Sequence, residues 1–275
     1  MSELDTSLQE QGKLGKTINT VTELAKVIPM YDDAIQPVAK EAGKALQTVG
    51  RAVNAALLPL KGLVWGFEQI EAFIQQKLDK KLLNVPVENI QTPDLSIAGP
   101  IIESLKYSGH KEDLSELYAN LLASSIDIET AKNAHPGFVE IIRNISSDEA
   151  RILKFLFING SQPIIDIVKR NKDNAGEIII REFICLIPEQ AQCELTGLIG
   201  SYLVNLQRLG LILIDKTAGF TNDEVYKNII EDPDVVAVCK NIDILADFES
   251  KIVKYYTRMT QYGYQFGEAC IRSKN

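Results

Sequence analysis

The chain has 275 residues, 45% of them hydrophobic, with 29 Lys and Arg against 37 Asp and Glu and a formal net charge of −8 at pH 7. That length fills one large core or two modest ones, and the composition is globular rather than disordered. The acidic balance disfavours a protein that coats nucleic acid, which needs clustered cations against phosphates.

Residues 1–11 are polar and acidic, which predicts no secretory leader. Leu14, Ile18, Val21, Ala25 and Ile28 then recur at helical spacing until Pro29 stops the pattern. Asp32 and Asp33 cap a second helix, and Pro37 suits its first turn. That helix carries Leu46, Val49, Val53 and Leu57 towards one side and is dense in Gly and Ala, which let a neighbour approach closely. With Trp65 beyond Pro59, these residues form the candidate interaction helix, packed as a hairpin or seam or lying on a membrane surface. The uncharged stretch 52–60 is far short of the roughly 20 apolar residues a spanning helix needs.

A third helix places Phe67, Ile70, Ile74, Leu78 and Leu82 inward. Pro86 and Pro93 bracket a linker, and two helices follow, divided at Ser108-Gly109. Pro136 opens a short helix through Phe138, Ile141, Ile142 and Ile145. Ser146 and Glu149 form a capping box that starts the next helix.

Helices are predicted around residues 163–170, 178–186 and 195–209, the last ending at Gly210. Residues 211–214 read as a strand, residues 252–259 as a second, and Thr260 as the cap of a final helix. Three helices followed by a strand pair is the order of a winged-helix module. The expected fold is therefore mainly α, with a C-terminal winged-helix-like module and a small β wing. Its domains are 1–84, 85–145 and 146–275, with an acidic insertion at about 221–248 in the wing.

No catalytic, cofactor or metal constellation is readable. His110 and His135 lack ligand partners at metal-site spacing. Cys185, Cys193, Cys239 and Cys270 are scattered, and read as buried thiols of a reducing compartment. Ser124-Ser125 lies within a helix stripe, without a nucleophile turn. Gly197 and Gly200 lack a phosphate-loop pattern. In the helix before the wing, Asn205, Gln207 and Arg208 are the candidate DNA contacts, but Arg208 is the helix's one basic residue.

From residue 59 to 151 the chain resembles the Abi-alpha family of bacterial proteins, named for abortive phage infection. The resemblance rests on Leu57-Leu58-Pro59-Leu60, Lys77-Leu78, Val85-Pro86-Val87-Glu88 and Ile97-Ala98-Gly99-Pro100-Ile101. It continues through Leu117-Tyr118-Ala119-Asn120-Leu121-Leu122-Ala123-Ser124-Ser125, His135-Pro136-Gly137-Phe138 and residues 146–153, and residues 260–271 resemble the family's usual ending. It implies a bacterial, largely helical protein associated with phage defence, and it assigns no catalytic residues. His135, Pro136 and Phe138 match a family motif and read as architecture.

The expected function is thus a non-enzymatic interaction or effector component of antiphage defence, cytoplasmic or peripheral at the inner membrane. It would act through a protein partner, self-association or membrane-surface contact, with no cofactor, small-molecule substrate or nucleic acid. The rival expectation is a winged-helix DNA-binding regulator.

Overall fold

The computed structural model describes residues 67–173 and 176–272, and the helices expected before residue 67 lie outside them, as do Leu46, Val49, Val53, Leu57 and Trp65. The chain divides into two compact units, with described residues 67–144 and 268–272 in one and residues from 145 to 267 in the other.

In the first unit, α1 (Phe67–Lys81) buries Ile70, Ile74 and Leu78, and Leu82 beyond its end. A 3-10 turn (Val87–Asn89) leads to α2 (Leu95–Ser108), capped by Asp94, whose side chain accepts from the Ser96 N–H. The unit is organised around α3 (Glu112–Ile126), in which every residue from Leu117 to Ile126 is buried. A helix surrounded on all sides is apolar or small all round. Its few polar groups must therefore find partners inside. Asn120 Nδ2 donates to the Cys270 carbonyl at 2.8 Å and Ser124 Oγ to the Ala269 carbonyl at 3.0 Å. These acceptors lie in the closing π-helical turn (Gly267–Ile271). Four residues apart on one helix face, the two side chains donate to successive carbonyls of that turn. The serine and asparagine of the Leu117–Ser125 run thus have a structural use.

Glu116 projects from α3 to Lys77 at 2.8 Å and to Lys81. Burial acts to raise its pKa, but the two ammonium groups outweigh this and hold it below the ordinary glutamate value. The short α4 (Gly137–Arg143) closes the unit.

In the second unit, α5 (Ser147–Asn159) begins with the full capping box. The Ser146 hydroxyl accepts from the Glu149 N–H at 3.2 Å, and the Glu149 carboxylate accepts from the Ser146 N–H at 2.6 Å. Gly160, at φ +73°, turns the chain into β1 (Gln162–Asn171). Then come β2 (Glu177–Ile184), α6 (Ile187–Gln190), α7 (Ile199–Arg208) and β3 (Ile212–Asp215). After a 3-10 turn (Asp223–Tyr226) the chain forms α8 (Lys227–Ile230), α9 (Pro233–Asp243), β4 (Phe248–Met259) and α10 (Gln261–Phe266). Thr260 caps α10 by accepting from the Gly263 N–H at 2.9 Å.

The strands make one antiparallel sheet, ordered β2-β1-β4-β3. β1 and β4 pair in unbroken register from Gln162 with Thr257 to Asn171 with Phe248. The β1–β2 pairing is broken by two bulges.

This sheet overturns the expected mainly α, winged-helix-like fold, and the unit is mixed α and β. Residues 163–170 and 178–186, expected to be helical, are largely strand. Ile164, Ile165, Ile167 and Val168 in β1 are all buried, on both faces of the sheet. A strand covered on both sides reads as a continuous apolar run, which periodicity alone does not separate from a buried helix. β-Branched density was the discriminating signal, and it favours strand. The strands expected at 211–214 and 252–259 are present, the second four residues longer than expected. The stretch 221–248 runs from beyond β3 to the start of β4, its antiparallel partner. Its Tyr226, Ile229, Val235 and Ile242 pack on Ile165 and Ile167 as the core layer on one sheet face.

Candidate functional site

The most concentrated polar chemistry is in the second unit, around Asp166. This residue lies mid-β1, between Ile165 and Ile167, and is 3% exposed. A carboxylate so buried needs donors on its oxygens. Its Oδ1 accepts from Tyr255 Oη at 2.5 Å and from the Phe183 N–H at 3.0 Å, and its Oδ2 from Lys216 Nζ at 2.8 Å. Lys216 also donates to Glu182 Oε1 at 2.9 Å, and its ammonium sits over the rings of Phe183 and Tyr255, at 4.9 and 5.2 Å from their centroids.

Burial first, then the Asp166 carboxylate, push the Tyr255 phenol far above its ordinary pKa, so it remains a donor. Burial works to lower the Lys216 pKa, but Asp166 and Glu182 outweigh it and keep the ammonium charged. Phe183 has φ +58°, a left-handed backbone that a bulky side chain rarely takes. It falls at the first bulge, where two β2 residues stand against Asp166 alone, and its N–H turns to the carboxylate. Gly200 of α7 lies against its ring, and a Cβ there would come within 3.0 Å of it. That close approach accounts for a glycine inside α7.

A second centre forms on Asp148, in the first turn of α5 and 5% exposed. It accepts from the N–H groups of Glu194 (2.8 Å) and Leu195 (2.9 Å), from the Tyr202 hydroxyl (3.0 Å) and from Arg151 (3.2 Å). Burial acts to raise the Asp148 pKa, but these donors hold it below the ordinary range. Burial, then the same carboxylate, push Tyr202 up to about 12. Cys185 and Cys193, on either side of α6, are driven up to about 12 and about 11, chiefly by burial. Thiols so shifted are poor nucleophiles at neutral pH.

In both centres, donors and acceptors are matched to each other, and neither presents an unpaired base beside a nucleophile. Such sets hold backbone in place. What they hold is the chain from β2 to α7, and this stretch leaves large apolar side chains in solvent: Ile178, Ile179 and Ile180 on β2, then Leu195, Leu198 and Val204. β2 is an edge strand. Exposed apolar side chains along a strand edge mark a surface able to pair or dock.

The sequence-selected residues are dispersed. In the first unit, His135 is exposed and its Nδ1 accepts from the Gly137 N–H at 3.0 Å, fixing the start of α4 beside Pro136. Its ring lies 5.7 Å from that of Phe138, which is fully buried. In the second unit, Asn205, Gln207 and Arg208 are all engaged within the unit. Asn205 donates to Glu149 Oε1 at 2.6 Å and accepts from Arg208 at 2.7 Å, while Gln207 accepts from the Ile214 N–H at 3.0 Å.

Sequence reasoning missed Asp148, Asp166, Lys216 and Tyr255. One signal was readable for Asp166: a lone acid inside Pro163-Ile164-Ile165-Asp166-Ile167-Val168 has to be paired if the run is core. Among the described residues, no group of three or more His, Cys, Asp or Glu side chains could hold a metal ion. Among them, too, no helix is long and apolar enough to cross a membrane.

Comparison with known proteins adds a family. The model of the family described as abortive infection alpha matches residues 66–270. No curated protein matches the chain. One solved structure that it is similar to is of an uncharacterized protein from the hydrocarbon-degrading marine bacterium Alcanivorax borkumensis SK2. That match has 18% identity and a TM-score of 0.33, over 47% of this chain and 88% of the other.

Proposed function

We propose, from the premise that this chain belongs to the abortive infection alpha family, that it serves antiphage defence as an interaction component rather than through catalysis of its own. The family associates the chain with abortive infection, and the mode of action is our reading of the second unit. One observation carries it: apolar side chains stand in solvent on a stretch whose backbone is bonded to two buried aspartates at Phe183, Glu194 and Leu195. A surface fixed before binding loses less entropy when a partner docks, so more of the apolar contact appears as affinity. The contact we propose is with protein, through the β2 edge and the residues that follow it. The DNA-regulator reading was built on a winged-helix module, and the four-stranded mixed unit does not supply that ground.

The test is phage challenge of cells carrying the chain, with survival of the culture and plaque number followed. Ile178→Glu with Ile179→Glu should abolish protection while thermal unfolding of the purified protein stays unchanged. Full protection by that folded variant would overturn the reading.

A further inference from the structure

A groove of about 490 Å³ runs between α9 and β4 in the second unit, on the sheet face that α9 covers. It lies outside both aspartate centres and has no part in the docking surface proposed above. Its floor is apolar: Ile230, Val236, Cys239 and Ile252, all half-buried. Lys240 and Lys254 also line it, together with Asp243 and Ser250.

The balance of charge there decides what it fits. Both oxygens of Asp243 are occupied by Ser250, whose N–H donates at 2.7 Å and whose hydroxyl donates at 3.1 Å. The one carboxylate in the lining, exposed at the end of α9, is thus bonded to Ser250 of β4. Lys254 is paired with Asp223 at 2.9 Å, but Asp223 is 76% exposed, and ion pairs with so wet a partner contribute little and exchange readily. Lys240 is exposed near the end of α9. Two ammonium groups thus border an apolar floor, in a chain whose net charge is −8. The volume falls within the roughly 300–1,000 Å³ of small-molecule sites, which join an apolar lining to a few polar groups.

We infer that this groove binds a small anionic amphiphile, with a carboxylate or phosphate head at Lys240 and Lys254 and an apolar body over Val236, Cys239 and Ile252. The ligand is a free molecule rather than a lipid within a bilayer. Sequence reasoning anticipated no such ligand, because the two lysines are 14 positions apart and belong to different elements.

Dodecanoate, held below its micellar concentration, is the probe. Binding is followed by calorimetry, and its location by the rate at which iodoacetamide alkylates Cys239, read by mass spectrometry. The inference requires saturable binding at one site, slowed alkylation of Cys239, and dodecanol binding at least about tenfold more weakly. Lys240→Gln, a change at an exposed helix position, should weaken dodecanoate about tenfold, and Lys240→Glu with Lys254→Gln should weaken it further. Circular dichroism checks that each variant is folded, and Lys240→Gln alone decides the matter if the double variant is not. Equal binding of dodecanol, an unchanged affinity in Lys240→Gln, or binding without protection of Cys239 would each overturn the inference. Protection of Cys239 by phosphatidylglycerol vesicles but not by dodecanoate would also overturn it, pointing to a lipid surface instead.

Discussion

Replacing Asp166 by Ala would remove the acceptor for three donors at once, and the structure indicates how the loss divides. Lys216 has a side chain 40% exposed, so it can turn to water and keep Glu182; its share is about 1 kcal/mol or less. Tyr255 has no exposure, and its hydroxyl would be left without a partner, at about 1–3 kcal/mol. The Phe183 N–H, at a residue held at φ +58°, would lose its acceptor, at about 1–3 kcal/mol. Together these shares come to about 2–7 kcal/mol, most of it from Tyr255 and Phe183. Tyr255→Phe should cost about 1.5–3 kcal/mol, the worth of a hydrogen bond to a charged group. In the double variant most of that second cost should vanish, because the two side chains share one interaction. Hydrogen exchange is the suitable assay, since a chain of two units need not unfold in a single step. The Phe183 amide should lose protection in Asp166→Ala before amides of α3 change. A cost under about 1 kcal/mol, or fully additive variants, would mean that water already satisfies these groups and would refute the account.

The Asp148 pKa is depressed in the folded protein, so its contribution is present above the unfolded value of about 3.9 and lost as pH falls through the folded value. Acid titration of stability should therefore show wild type and Asp148→Asn converging below about pH 4, and a gap constant down to pH 2 would contradict this. Asn120→Ala leaves the Cys270 carbonyl without its donor inside the first unit, and should cost about 1–3 kcal/mol by thermal unfolding. In the second unit a Cβ on Gly263 would fall 2.0 Å from the Leu211 carbonyl oxygen, so Gly263→Ala should lower stability by about 1–3 kcal/mol or shift α10 in a crystal structure. At the family motif, Phe138→Ala should cost about 3–5 kcal/mol, whereas His135→Ala, at an exposed position, should leave a folded protein that still protects cells.

Legibility followed the periodicity of the buried faces. The α1 stripe, the capping box at Ser146, the helix end before Gly210 and the Thr260 cap are all present as read, because each is a local pattern with its own chemistry. β1 and β2 failed for reasons of context. β1 is covered on both faces and so shows no alternation, and β2 is exposed on both, with Ile178, Ile179 and Ile180 in solvent. Neither strand offers the alternation of one buried face that marks a strand in sequence. The polar centres were invisible for a different reason. Asp166 meets Lys216 and Tyr255 across 50 and 89 residues, and no spacing rule reaches that far.

Among the described residues, two non-glycine residues have positive φ, Phe183 and Gln192, each at 58°. Each adjoins a buried aspartate that gathers nearby backbone N–H groups: Asp166 takes that of Phe183, and Asp148 takes those of Glu194 and Leu195. Arg151 adds a bond to the Gln192 carbonyl at 3.1 Å. Strained backbone persists only where the surroundings over-determine it. Here the surroundings are two carboxylates taken out of water, a costly way to fix a connection that a glycine turn would make more simply. If rigidity of residues 183–195 were of no consequence, Phe183→Gly would relieve the turn without harm to protection. If the stretch has to be held for a partner, the same change should free it, raise amide exchange from Phe183 to Leu195, and weaken protection in cells even where the protein remains folded.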